Sequence, residues 1–388
     1  MKTVLFAWEL GANLGHAIPL ARVAASLAGD VRSVFAVRNL ESAHSAFGAE
    51  TVSVLQAPVW PRRRSWSATG TLAGYADILA GIGFGQQAQL EVVVRAWREL
   101  LDLVRPDLIV ADHSPALMLS VYGESTPVVA IGTGFTMPPL GLDRLPPLQA
   151  DRATAMPEGR LLESARLVQK ARGAPLPANL IDIFRSSARF VFGLPELDPY
   201  AGFRNEPIHV PPEGLPTYSE PGERRLFVYL GGELPQLELL AQVLADMDIP
   251  VECYLRGEIG SVGTFLRLRG HVVHDQPPDL AEVLPRCSHV LSQGGAFTSA
   301  AAFIAGRPQL IVPLHNEALL NLRLLKQYGV AQILTPNGSR SGMQAALQQF
   351  LADPGLRENA RECAMRLAIR PLPDGRQACA EAITRFLR

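Results

Sequence analysis

The sequence predicts an α/β protein built from two doubly wound parallel-sheet domains. Its 388 residues exceed one ordinary core at roughly 100–200 residues per domain. Short β-branched or apolar runs alternate with longer stretches of helical period, the pattern of βαβ units with helices on both faces of a sheet. The alternation then restarts after a proline-dense stretch, so the pattern occurs twice. Hydrophobic residues make up 48% and charged residues 19% of the chain, which supplies material for packed cores and carries no sign of disorder.

In the first half, 3–8 reads as a buried strand, 11–15 as a turn, and 16–28 as a helix with apolar positions at Leu20, Val23, Ala24 and Leu27. Residues 32–37 and 51–56 are further strand candidates. The run 86–104 is amphipathic and stops before Pro106, and 107–111 then reads as a strand, with 127–131 closing the series. The Pro, Gly and Arg density of 58–85 and 138–157 predicts excursions outside the sheet.

Pro207, Pro211, Pro212, Pro216 and Pro221 resist both helix and ladder. The expected division is therefore an N-terminal domain of 1–206, a linker of 207–222 and a C-terminal domain of 223–370. A C-terminal helix follows within 371–388, for which packing back on the N-terminal domain is one placement. In the second half, 226–230, 251–255, 271–274, 289–291 and 309–313 read as strands. Helices are expected at 235–247, 279–284, 297–305, 341–351 and 375–387. Two such domains facing each other would leave a cleft between their strand carboxyl ends, where open α/β sheets bind ligands.

Thirty-six basic against 37 acidic side chains give a formal charge of −1, no broad cationic surface for nucleic acid or anionic lipid. The run Arg62, Arg63 and Arg64, beside Trp60 and Trp66, suits a solvated loop better than a nucleic-acid site. Cys253, Cys287, Cys363 and Cys379 lack the close spacing of zinc or dithiol sites and fit free thiols in a reducing compartment. Glu9, Gly11 and Asn13 interrupt the initial apolar run before it resembles a leader. No run approaches the roughly 20 apolar residues of a membrane span, so a cytoplasmic protein is expected.

Gly15-His16 between a strand and a helix puts an imidazole in the crevice at a helix start. The helix dipole there disfavours imidazolium, which suits a general base near neutral pH; a cap or surface role is the alternative. Asp112 follows a strand in the same half and can fix the tautomer of such an imidazole or cap the next helix, with His113 its nearest competitor. In the second half Ser292, Gln293, Gly294, Gly295, Ala296, Phe297 and Thr298 link a strand to a helix. Two glycines there allow a diphosphate close to the backbone amides. Gly231 and Gly232 end an earlier strand, so two glycine turns converge on one crevice. His315, Asn316 and Glu317 offer groups for sugar hydroxyls, or a helix cap with Asn316 as the capping residue.

The order of these pieces resembles the nucleotide-sugar-dependent glycosyltransferases of family 1, the group of plant flavonoid and bacterial macrolide enzymes, over nearly the whole chain. The resemblance rests on a stretch from Gln276-Pro277 through Leu284-Pro285, Gly294-Gly295 and Ala305-Gly306-Arg307-Pro308-Gln309 to Pro313-Leu314-His315-Asn316-Glu317 and Asn321. Gly15-His16-Ala17-Ile18-Pro19, Asp112 and Gly231-Gly232 complete it.

The resemblance implies the GT-B fold, an acceptor-binding N-terminal domain and a C-terminal domain that binds a UDP- or dTDP-sugar. By it His16 takes the proton from an acceptor hydroxyl and Asp112 orients His16. The oxygen attacks with inversion, and the backbone amides of Gly294 to Thr298 hold the diphosphate, with no metal and no further cofactor. Gln276 joins the donor residues. Trp60, Trp66 and Phe84 are candidates for an acceptor pocket, with ordinary loop packing the alternative. The expected partners are a nucleotide sugar and a natural-product-like small molecule; a homodimer is compatible with the sequence.

Five positions depart from the pattern. Gln293 stands for a histidine at the diphosphate, Ala301 for a glutamate at the ribose, Glu317-Ala318 for Asp-Gln at the sugar, and Gly232 for Ser or Thr. These losses motivate a degenerate, non-catalytic nucleotide- or partner-binding protein as an alternative. A nucleotide-sugar epimerase shares the same two-domain plan.

Overall fold

The computed structural model describes residues 1–11, 14–27, 29–47, 52–61, 72–149, 151–212, 214–220, 224–335 and 338–388. Trp66 and the run Arg62 to Arg64 lie outside the described residues. The chain forms two compact units. The first takes in the N-terminal part as far as 212, together with Leu372–Arg388, and the second runs over Gly214–Pro371.

The first unit holds a seven-stranded sheet of β1 (Lys2–Trp8), β2 (Val31–Val37), β3 (Ser53–Gln56), β4 (Leu108–Asp112), β5 (Val128–Thr133), β6 (Ala188–Phe192) and β7 (Ile208–His209). Their spatial order is β3-β2-β1-β4-β5-β6-β7, and every pair is parallel. Both faces of its centre are covered, so its strands are continuous apolar runs, with Val4 to Trp8 of β1 fully buried. The helix Gln87–Val104 turns Leu90, Val93, Val94, Trp97 and Leu101 onto this core and ends at Arg105 in the left-handed region, just before Pro106. The helix Leu14–Ala24 begins two residues earlier than its expected start at His16.

The second unit repeats the plan with β8 (Leu226–Gly231), β9 (Val251–Arg256), β10 (Val272–His274), β11 (His289–Ser292), β12 (Gln309–Ile311) and β13 (Ala331–Ile333). The order is β10-β9-β8-β11-β12-β13, again parallel throughout. In both sheets the winding reverses at the centre, between β1 and β4 and between β8 and β11. Open α/β sheets bind ligands outside the strand ends at such a reversal.

Two features differ from expectation, and one takes a placement the sequence had offered. The helices Glu158–Ala171 and Tyr75–Ile82 occupy or adjoin stretches expected as excursions. β7 lies inside the stretch expected as linker. Residues 372–388 belong to the first unit: Val210 N donates to Pro373 O at 2.9 Å and Gly375 N to Val210 O at 3.1 Å. A Cβ on Gly375 would lie 2.3 Å from that carbonyl, so only glycine permits the approach. Among the described residues no helix is long and apolar enough to cross a membrane.

Candidate active site

β1 and β4 run side by side with Trp8 opposite Asp112, so the residues that follow them meet at the reversal point of the first sheet. His16, in the first turn of Leu14–Ala24, places Nδ1 2.8 Å from Oδ2 of Asp112, the last residue of β4. Their side chains are 13% and 3% exposed, so the contact is shielded from screening by water. A carboxylate only accepts, which puts the imidazole proton on Nδ1 and leaves Nε2 as the basic nitrogen. The ring is stacked on Trp8, with centroids 5.2 Å apart and planes 19° apart, and also contacts His113 at 5.9 Å.

The loop after β1 is fixed from beneath by Glu9, a carboxylate with 1% exposure. It accepts from Trp60 Nε1 at 2.7 Å, Trp97 Nε1 at 2.9 Å and the amides of Ala116 and Leu117, each at 3.1 Å. Burial pushes its pKa up to about 7, against the pull of those donors. Leu10 N also donates to His113 O at 3.0 Å, tying the two loops together. The sequence signal for this network is a lone acid at the end of an apolar strand.

Trp60 is 6% and Phe84 0% exposed, and both belong to the core cluster around Trp97. Their assignment to an acceptor pocket is therefore corrected: the Trp60 indole is occupied by Glu9, and Phe84 packs under it at 6.3 Å. A pocket in this unit lies elsewhere, against Tyr75, His113, Met118, Met137, Phe184 and Arg189. Sequence reading missed these residues apart from His113, because they come from segments distant in the chain.

In the second unit the two glycine turns follow adjacent strands, Ser292 pairing with Tyr229. Gly294 has φ +77°, and a Cβ there would lie 2.7 Å from Ile311 Cγ2. Its amide donates to Ser292 Oγ at 3.1 Å and its carbonyl accepts from Asn321 Nδ2 at 2.9 Å. Gly295 caps the helix Ala296–Ile304, and a Cβ on it would meet nothing within 4 Å. Ala296, Phe297 and Thr298 are only partly buried. An open, amide-rich helix start of this kind receives anions.

Gly232 is required for a different reason, since its Cβ would lie 2.0 Å from Glu258 O. Arg256 lies at the end of β9. It pairs with Glu233 at 2.5 Å, and Gln293 Nε2 reaches the same carboxylate at 3.4 Å.

The helix Asn316–Gln327 is capped by His315, whose Nδ1 accepts from Ala318 N at 3.3 Å, so the cap is His315 and not Asn316. Glu317 lies in the first turn of that helix. Gln276 is exposed beyond β10, the edge strand. Ala301 is 3% exposed in an apolar cluster with Phe227 and Val283. The position that the resemblance gives to ribose contact thus faces the core.

Residues 240–381 match the erythromycin biosynthesis protein CIII-like C-terminal domain. The elloramycin glycosyltransferase ElmGT of Streptomyces olivaceus is 29% identical over 283 residues, 69% of this chain and 66% of that protein. The TDP-daunosamine transferase DnrS of Streptomyces peucetius is 27% identical over 219 residues, 53% of this chain and 49% of its own. The matched stretches thus span about two thirds and about half of these relatives. Among solved structures, the calicheamicin glycosyltransferase CalG4 superposes with a TM-score of 0.66 at 19% identity, over 100% of this chain and 98% of that one. VinC in complex with dTDP gives 0.61 at 17% identity, over 100% and 99%. The fold is GT-B.

Proposed function

We propose that this chain, a GT-B protein that carries the CIII-like C-terminal domain, is a natural-product glycosyltransferase. It moves a sugar from a nucleoside diphosphate, with thymidine favoured, to a hydroxyl of a small, largely apolar acceptor. The observation that carries the reading is the His16–Asp112 pair at the reversal point of the first sheet. The similarity to the TDP-daunosamine transferase DnrS and to VinC in complex with dTDP supports thymidine diphosphate.

In this reaction His16 Nε2 takes the proton from the acceptor hydroxyl as its oxygen attacks the anomeric carbon. Asp112 stabilises the imidazolium that forms. The C–O bond to the diphosphate breaks on the opposite face, so the configuration inverts. The amides of Gly295 to Thr298 receive the leaving group's charge without a resident metal. Four free, buried cysteines support a reducing compartment such as the cytoplasm.

The test is acceptor-dependent release of nucleoside diphosphate from a panel of thymidine- and uridine-diphosphate sugars, in EDTA. His16→Ala is expected to lower turnover by about 10²–10⁴-fold while calorimetry shows thymidine diphosphate bound as in the wild type. Full turnover by the alanine variant overturns the assignment. Failure of the wild-type chain to bind either diphosphate points to a non-catalytic protein, and interconversion of free nucleotide sugars without acceptor points to an epimerase.

A further inference from the structure

Every partner of the buried Glu9 carboxylate among the described residues is an N–H. Oε1 accepts from Trp60 Nε1 at 2.7 Å and Ala116 N at 3.2 Å, and Oε2 from Trp97 Nε1 at 2.9 Å, Ala116 N at 3.1 Å and Leu117 N at 3.1 Å. An ionised carboxylate, which only accepts, satisfies all of them. A proton on either oxygen would face donors alone, so at least one of these bonds must open when it arrives. Burial opposes the charge that this shell favours and raises the pKa to about 7, so the two states exchange near neutrality.

The segments joined by this carboxylate are those that carry His16 and Asp112. On one side the chain runs from Glu9 through Leu10 to Gly11, which lies against the His16 ring. Trp8, stacked on that ring, donates Nε1 to Leu10 O at 2.6 Å. On the other side Ala116 and Leu117 open the helix Pro115–Ser120, and Ser114 just before it donates to Asp112 O at 2.8 Å. Release of an amide separates the two segments directly, and release of an indole lets the carboxyl shift between them.

The other charged or titratable groups at this corner do not take the role of Glu9. Arg38, at the end of β2, donates to Glu9 O at 3.3 Å and keeps its charge. Burial drives the Tyr75 phenol up, away from neutrality, and holds His113 neutral. His113 has φ +43° and no partner for either ring nitrogen among the described residues. Asp112 is engaged by His16, and the helices Gln87–Val104 and Pro115–Ser120 bring Trp97 and the two amides.

We infer that Glu9 is a positioning residue that holds the seat of His16 only while it is ionised, so that uptake of one proton by this carboxylate slackens the contact between His16 and Asp112. The inference rests on the glycosyltransferase reading for its effect on turnover, whereas the contact itself is read without any substrate.

The test follows the full chain by NMR from about pH 5.5 to about pH 8.5. Trp60→Phe and Trp97→Phe assign the indole N–H signals, and His16→Ala assigns the ring nitrogens of His16. In the wild type the two indole signals are expected to shift with one midpoint, and the His16 nitrogens to show a step at that midpoint besides their own titration. Glu9→Gln has no carboxyl to titrate and should remove the shared step. Indole signals that stay still overturn the inference, as do His16 nitrogens without a step at the indole midpoint or a shared step that survives in Glu9→Gln. If that variant does not fold, the wild-type titration alone decides.

Acceptor-dependent turnover gives a second reading. Glu9→Gln is expected to be about tenfold slower than the wild type at the alkaline end and to approach it at the acid end, where both side chains are neutral. A residue kept for stability alone would give a ratio constant with pH, and that outcome also overturns the inference. A shared NMR step in a chain that transfers no sugar would instead sink the proposed function and leave the Glu9 linkage standing.

Discussion

Gly11 lies directly against the ring of His16: a Cβ built on it would fall 2.1 Å from Nε2 and 2.8 Å from Cδ2. Gly11 also has φ +94°, so a side chain there is strained as well as crowded. The basic nitrogen of the proposed reaction thus rests on a surface that only glycine supplies.

Gly11→Ala should therefore displace the imidazole while leaving the second unit untouched. Turnover is expected to fall by about 10²-fold, the effect of a displacement near 1 Å at a reacting group. Thymidine diphosphate affinity should be unchanged. Near wild-type turnover in this variant would show that Nε2 is not the atom that works.

Glu9 makes stability depend on pH in a definite direction. Burial raises its pKa from 4.5 to about 7, so the folded chain holds a proton that the unfolded chain has released across that window. Its contribution is full below pH 4.5 and is lost as pH rises through about 7, on the order of 3 kcal/mol in all. Burial depresses His113, and depresses His289 to about 4, which gives a slope of the opposite sign in the acid range. The difference between wild type and Glu9→Gln isolates the carboxyl. Urea unfolding at pH 5 and pH 8 should show the wild type's stability relative to the variant falling over that interval. Parallel pH profiles would refute it.

Gly294 and Gly295 are neighbours with opposite requirements. Gly294→Ala puts a methyl at φ +77° and 2.7 Å from Ile311 Cγ2 and should destabilise the fold by about 1–3 kcal/mol. Gly295→Ala meets nothing within 4 Å and should cost less than about 1 kcal/mol. It should instead weaken thymidine diphosphate binding, because its methyl stands where the diphosphate would approach. Thermal melts and calorimetry on both variants separate the two effects, and unchanged nucleotide affinity in Gly295→Ala would remove the anion from this turn.

The central strands were legible because burial on both faces makes them continuous apolar runs, as in Val4 to Trp8 and Leu108 to Ala111. β7 was not, since its two residues follow Pro207 inside a stretch whose prolines argue against a ladder. The helix Glu158–Ala171 lay just beyond a Pro- and Arg-rich run that masked its start. His16 and Asp112 could be placed because one follows a strand and the other ends one, and parallel order brings such ends together. Trp60 and Phe84 misled for a reason that is not local: an aromatic in a loop can line a pocket or enter the core. The buried carboxylate of Glu9 draws the Trp60 indole inward. His113 was visible only as a competitor of Asp112, because neither strained backbone nor unpaired nitrogens leave a mark in sequence.

The helix Gly375–Leu387 joins the first unit although the whole second unit precedes it in the chain. On the ribosome, then, the N-terminal half emerges early and must wait. Its seam at Phe192 and Val210 stays uncovered until 372–388 have been translated and return to seal it. The first unit to be made is in this sense the last to be finished, and shortening the C-terminus should injure the N-terminal half before the half it is attached to.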